Sequence, residues 1–90
     1  MALIKINSLE VMTTWAARNK YPINHIVMIK TKFVDGGDND LGYVIYTYDN
    51  NRDIRNIPRE EIKGKPTIFT LGINAEPHKQ IGGIEFYEKI

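Results

Sequence analysis

Three tyrosines, Tyr43, Tyr46 and Tyr48, stand just ahead of a basic run formed by Arg52, Arg55, Arg59, Lys63 and Lys65. Aromatic rings beside guanidinium and ammonium groups suit two kinds of recognition. Rings stack on nucleobases while the cations hold phosphates, and Tyr and Arg are also the favoured anchors of protein interfaces. Tyr46, Tyr48, Arg52, Arg55 and Arg59 are therefore the candidate binding residues. A purely structural reading competes with both: the tyrosines pack a sheet and the charges pair with Asp53, Glu60 and Glu61. Twelve Lys and Arg against eleven Asp and Glu leave a net charge of +1, so no bulk field draws the chain towards nucleic acid. This favours a protein partner and keeps nucleic acid as the alternative.

Other residue types capable of chemistry are scarce. Asp35-Gly36-Gly37-Asp38-Asn39-Asp40 is the densest acidic cluster. A calcium loop needs Gly at its sixth position and Glu at its twelfth. Counted from Asp38, Gly42 falls at the fifth and Asp49 at the twelfth, so the register fails and a solvated hairpin tip is expected. The two histidines, His25 and His78, lie in no helical or strand zinc spacing, and surface or packing roles are expected for them. Ser8 is the sole serine and stands at a helix start. There is no Gly-x-Ser-x-Gly elbow, P-loop or dinucleotide fingerprint. With no cysteine, there is no disulfide, thiolate nucleophile or Cys-ligated zinc. The expectation is a protein that is no enzyme and uses no metal or cofactor.

The elements that position these residues follow from the hydrophobic pattern. Ala2 to Ile6 reads as a short strand. Asn7 and Glu10 form a capping box, and Ile6 and Val11 a hydrophobic staple. A helix then runs to Tyr21-Pro22, with Leu9, Val11, Met12, Trp15 and Ala16 on its apolar face. His25–Val34 is a strand with Val27, Ile29 and Phe33 on one face, and Met28, Lys30 and Lys32 on a wetter one. Leu41–Tyr48 is apolar on both faces, Leu41, Tyr43 and Ile45 against Val44, Tyr46 and Tyr48, which marks a central strand. Asp53–Ile57 is expected to return as a strand. Pro58 to Gly64 makes a single helical turn. Thr67–Ile73 and Ile84–Ile90 are further strands, separated by a loop containing Pro77 and Gly82-Gly83. The predicted core is Trp15, Val27, Ile29, Ile45, Phe69, Leu71 and Phe86.

Over residues 25–73 the order strand, tight turn, strand, helical turn, strand resembles the later part of SH3-like small barrels, a topological likeness with no diagnostic motif. The fold class is α+β: one N-terminal amphipathic helix on a curved, mostly antiparallel sheet of five or six strands. Ninety residues suit a single domain spanning the whole chain. No apolar run is long enough to span a bilayer and no secretory signal is evident, so the cytoplasm is the expected location. Ile, Lys and Asn are abundant while Leu, Ala and Arg are sparse, which points to AT-rich coding in a bacterium or its virus. Together these features suggest a small protein-interaction module, such as a phage-encoded inhibitor of a host defence protein.

Overall fold

Two stretches rich in β-branched and aromatic residues pair to form the middle of the sheet, and the other described strands join their edges. A computed structural model describes residues 3–76. In chain order it contains β1 (Ile4–Lys5), β2 (Met12–Thr13), α1 (Thr14–Lys20), β3 (His25–Lys32), β4 (Leu41–Tyr48), a 3-10 helix (Asn51–Asn56), α2 (Arg59–Ile62) and β5 (Thr67–Leu71). The strand expected at Ile84–Ile90, the core role of Phe86 and the loop carrying His78 lie outside the described residues.

The fold is a small α+β arrangement with an open, antiparallel five-stranded sheet and few helices. The strand order is β1-β4-β3-β5, with β2 also on β4. No pairing among the described residues closes this sheet into the barrel that the strand order resembles. β3 and β4 carry neighbours on both edges, so the expected central position of Leu41–Tyr48 is observed.

A core forms on each face of the sheet. Val27, Ile29, Ile45, Tyr46, Tyr48 and Ile57 make one, and Leu3, Tyr43, Ile54, Ile62 and Phe69 pack against it. Ala17, Ile26, Met28, Val44 and Ile68 make the other, with Ile6, Met12 and Tyr21. Strand alternation explains the split in β3, whose odd and even residues face opposite ways. In β4 simple alternation fails. Val27 pairs with Tyr46 while Met28 pairs with Val44, so one step in β3 spans two in β4. The register shift at Ile45 rotates the strand and gathers Tyr43, Ile45, Tyr46 and Tyr48 into the same core.

Several expectations need correction. The helix does not begin at Asn7. Residues 7–11 are irregular, Met12 and Thr13 pair with Gly42 and Leu41 of β4, and Thr13 caps the helix by accepting the Ala16 N–H at 3.0 Å. The Asn7–Glu10 capping box is replaced by a local turn in which the Ser8 hydroxyl accepts the Glu10 N–H, and the Glu10 carboxylate pairs with Lys20 at 2.8 Å. Starting later changes the buried face: Thr14 and Ala17 point inward. Trp15, predicted as core, is 56% exposed, and Leu9 and Val11 are exposed as well. Val27, Ile29 and Ile45 are buried as expected, whereas Phe69 and Leu71 are half-buried.

Asp53–Ile57 is not a strand. The Asn50 side chain accepts the Arg52 N–H and its carbonyl accepts the Asp53 N–H at 2.9 Å, which starts the 3-10 helix instead. The helical turn after Pro58 is present as α2, followed by Gly64 at φ +73°. Phe33 is exposed rather than inward.

The wet end assigned to β3 is the largest departure. Lys30 is buried, and its ammonium meets the buried Asp40 carboxylate at 2.6 Å, both side chains being 0% exposed. The other carboxylate oxygen accepts the N–H groups of Val34, Asp35 and Gly36 at 2.6, 2.9 and 3.0 Å. The Asp40 carbonyl accepts from the Thr14 N–H, and the Asp38 carbonyl from the Trp15 N–H. Residues 33–40 thus form a wrapped loop tied to α1 and β3, with Asp40 at its centre, while Asp35, Asp38 and Asn39 stay exposed. Burial alone would raise the Asp40 pKa. The Lys30 ammonium and the three backbone donors outweigh it and hold the carboxyl well below the usual range.

Candidate functional site

The segment from Asn50 to Lys65 carries the basic residues of the candidate group, and the same side of the sheet carries its tyrosines. The two parts occupy different depths. Tyr46 and Tyr48 are 5% and 0% exposed. Tyr48 lies beside the His25 ring, with centroids 5.3 Å apart and planes tilted by 31°. Burial raises the Tyr48 phenol pKa. Burial also raises that of Tyr46, and the neighbouring Glu61 carboxylate adds to it. These rings form the floor of the molecule's core and present no open face for a base or partner.

Arg52, Arg55 and Arg59 are exposed. Arg52 sits on the first turn of the 3-10 helix and is not among the residues that line the groove. Arg55 and Arg59, with Lys63, line a shallow open groove of about 410 Å³ whose remaining lining is Ile54, Ile57 and Ile62. The local sequence accounts for this shape. The 3-10 helix ends at Ile57, Pro58 turns the chain, and the single turn of α2 runs on to Ile62. The isoleucines of both turns drop onto the tyrosine-containing core, so the long cationic side chains are left at the rim. Among the described residues, no ion pair engages Arg52, Arg55, Arg59 or Lys63. Among the described residues these four thus lack the expected pairing with Asp53, Glu60 and Glu61, while the other half of that structural reading, tyrosines packed on the sheet, is observed for Tyr46 and Tyr48. Glu61 is engaged elsewhere: Lys5 donates to it at 3.1 Å. The hydrogen bond from Lys5 and that from Tyr46 lower the Glu61 pKa, and the Lys5 pKa rises correspondingly.

Of the five candidate residues, the structure brings Arg55 and Arg59 to one groove, places Tyr46 and Tyr48 in the core beneath it and leaves Arg52 outside its lining. The isoleucine lining was missed. Ile54, Ile57 and Ile62 read in sequence only as apolar residues of a strand and a turn; the 3-10 helix, its C-cap and α2 bring them to one side.

His25 is buried, with Nε2 2.7 Å from the Glu76 carbonyl oxygen. Among the described residues no group of three or more His, Asp or Glu side chains is placed to hold a metal ion. No helix among them is long and apolar enough to cross a membrane. Comparison with protein families, curated proteins and solved structures found no match.

Proposed function

We propose that this chain is a small non-enzymatic protein-interaction module, whose contact surface includes the Arg55–Arg59 groove. The observation that supports the reading most is the groove itself: cations that make no ion pair among the described residues, at the rim of an aliphatic floor over the core. Interfaces of this kind anchor on Arg and on apolar pockets while their rims stay polar. The buried state of Tyr46 and Tyr48 weighs against the alternative, since nucleic-acid binding by a small sheet domain relies on exposed rings. The bias towards residues with AT-rich codons supports a bacterial or viral source, and with the small size it is the basis for proposing a phage-encoded inhibitor of a host defence protein, acting in the cytoplasm.

The test is affinity capture from a low-GC bacterial lysate with and without nuclease, using the native chain and Arg55→Glu in parallel. The expected result is a protein identified by mass spectrometry that survives nuclease treatment, is depleted with Arg55→Glu and rebinds when purified. Loss of all captured material on nuclease treatment would refute the reading in favour of nucleic acid.

A further inference from the structure

The groove between the 3-10 helix and α2 has a lining whose chemistry is one-sided. Among the described residues, three isoleucines supply its floor, three cations its rim, and no acid lines it. Two acids lie close in sequence on α2. Glu61 is engaged by Lys5 and Tyr46, and Glu60 is exposed outside the lining. Arg55, Arg59 and Lys63 make no ion pair among the described residues, so their donors are available without breaking a contact that holds the fold. An occupant must therefore satisfy two demands: carboxylates for the guanidinium forks, and an aliphatic side chain for the isoleucine floor.

We infer that the groove takes an acidic peptide segment carrying an aliphatic anchor, presented by the partner protein. The inference rests on the interaction reading above and names the chemistry of what binds. Charge complementarity selects the sign of the segment, because a basic one would meet three like charges. The floor selects a peptide over a nucleic acid, because none of its described lining residues is aromatic and nucleobases bind through ring stacking. The groove is open, so the carboxylate contacts remain at the rim, where they speed association and weaken with salt. The aliphatic contact is the part that salt leaves in place.

Fluorescence anisotropy tests this with four labelled probes: a Glu-rich peptide with a central leucine pair, the same peptide with the leucines replaced by serine, the same with the glutamates replaced by lysine, and a single-stranded oligonucleotide. The first should bind. Either replacement should weaken it about tenfold or more, and so should R55E or R59E in the protein, on the scale of an interface anchor. Both arginines are exposed and make no ion pair among the described residues, so the variants should melt at the native temperature, which the same samples can show. Equal binding of the serine peptide would reduce the effect to charge and overturn the inference. Tighter binding of the oligonucleotide, or unchanged affinity in both Arg variants, would overturn it too. If none of the peptides binds while lysate capture still yields an Arg55-dependent protein partner, this inference fails and the interaction reading stands. Failure of both assays removes both.

Discussion

Replacing Lys30 by Met removes one half of a fully buried ion pair and keeps nearly the same side-chain length. In the native chain the Lys30 ammonium lies 2.6 Å from Asp40, and three backbone N–H groups hold the other carboxylate oxygen. The variant keeps those three donors but leaves the remaining charge buried without a cation. Breaking a buried pair from one side costs about 3–5 kcal/mol. The surviving donors place Lys30→Met towards the lower end, about 3 kcal/mol. In a domain of this size that corresponds to a fall in Tm of about 12 °C or more. The folded Asp40 pKa is depressed, so its stabilising contribution is complete above the unfolded value of about 4 and is lost as pH falls from there towards the folded value. Native stability should therefore drop below about pH 4. In Lys30→Met, protonating Asp40 relieves an uncompensated charge, so the gap between variant and native chain should narrow in acid. Urea melts from neutral pH down to acid, on both proteins, measure this. A double variant, Lys30→Met with Asp40→Asn, retains an acceptor for the loop and should cost less than the sum of the two single changes. A loss below about 1 kcal/mol for Lys30→Met at neutral pH, with a constant gap in acid, would refute the reasoning.

Three further outcomes follow from the packing and the groove. Met28→Ala, in the core beneath α1, should cost about 2–5 kcal/mol, while Trp15→Ala should cost less than about 1 kcal/mol; urea denaturation compares them, and the reverse order would restore the longer helix. Gly42→Ala should strongly lower Tm, because a Cβ there would strike the Ile29 carbonyl and come within 2.9 Å of the Lys30 Cα across the β3–β4 pair; an unchanged melt would contradict the register. Arg52→Ala should leave partner affinity within about threefold while Arg55→Ala weakens it about tenfold or more, read by titration, and equal effects would mean that contact is not made through the groove.

The central sheet was legible because β-branched and aromatic residues crowd 25–32 and 41–48 and because turn residues separate them. β5 and the α2 turn were legible for similar local reasons, Pro58 and Gly64 bracketing the latter. The helix start was not. Asn7, Ser8 and Glu10 satisfy a capping pattern, but Met12 and Thr13 gain partners on β4 that no local rule contains, and Thr13 is an equally good cap. The burial of Lys30 was hidden because its partner, Asp40, lies ten residues away in a loop whose composition reads as solvated. The shift at Ile45 erased the face assignment of the tyrosines, since a single added residue moves every later side chain to the other side. For the site, the structure places Arg52, Arg55 and Arg59 at the surface. The tyrosines beside them in sequence are core, and the isoleucines that line the groove in their place read in sequence as residues of a strand and a turn.

The central claim is that partners meet this chain through the Arg55–Arg59 groove. Amide chemical-shift mapping tests it most directly, with the isotopically labelled native chain titrated with the purified captured protein. The account predicts shifts or broadening concentrated between Asn51 and Lys65, with the Ile54, Ile57 and Ile62 amides among the most affected. Changes concentrated instead around Leu9, Val11 and Trp15, with the groove amides unmoved, would contradict it.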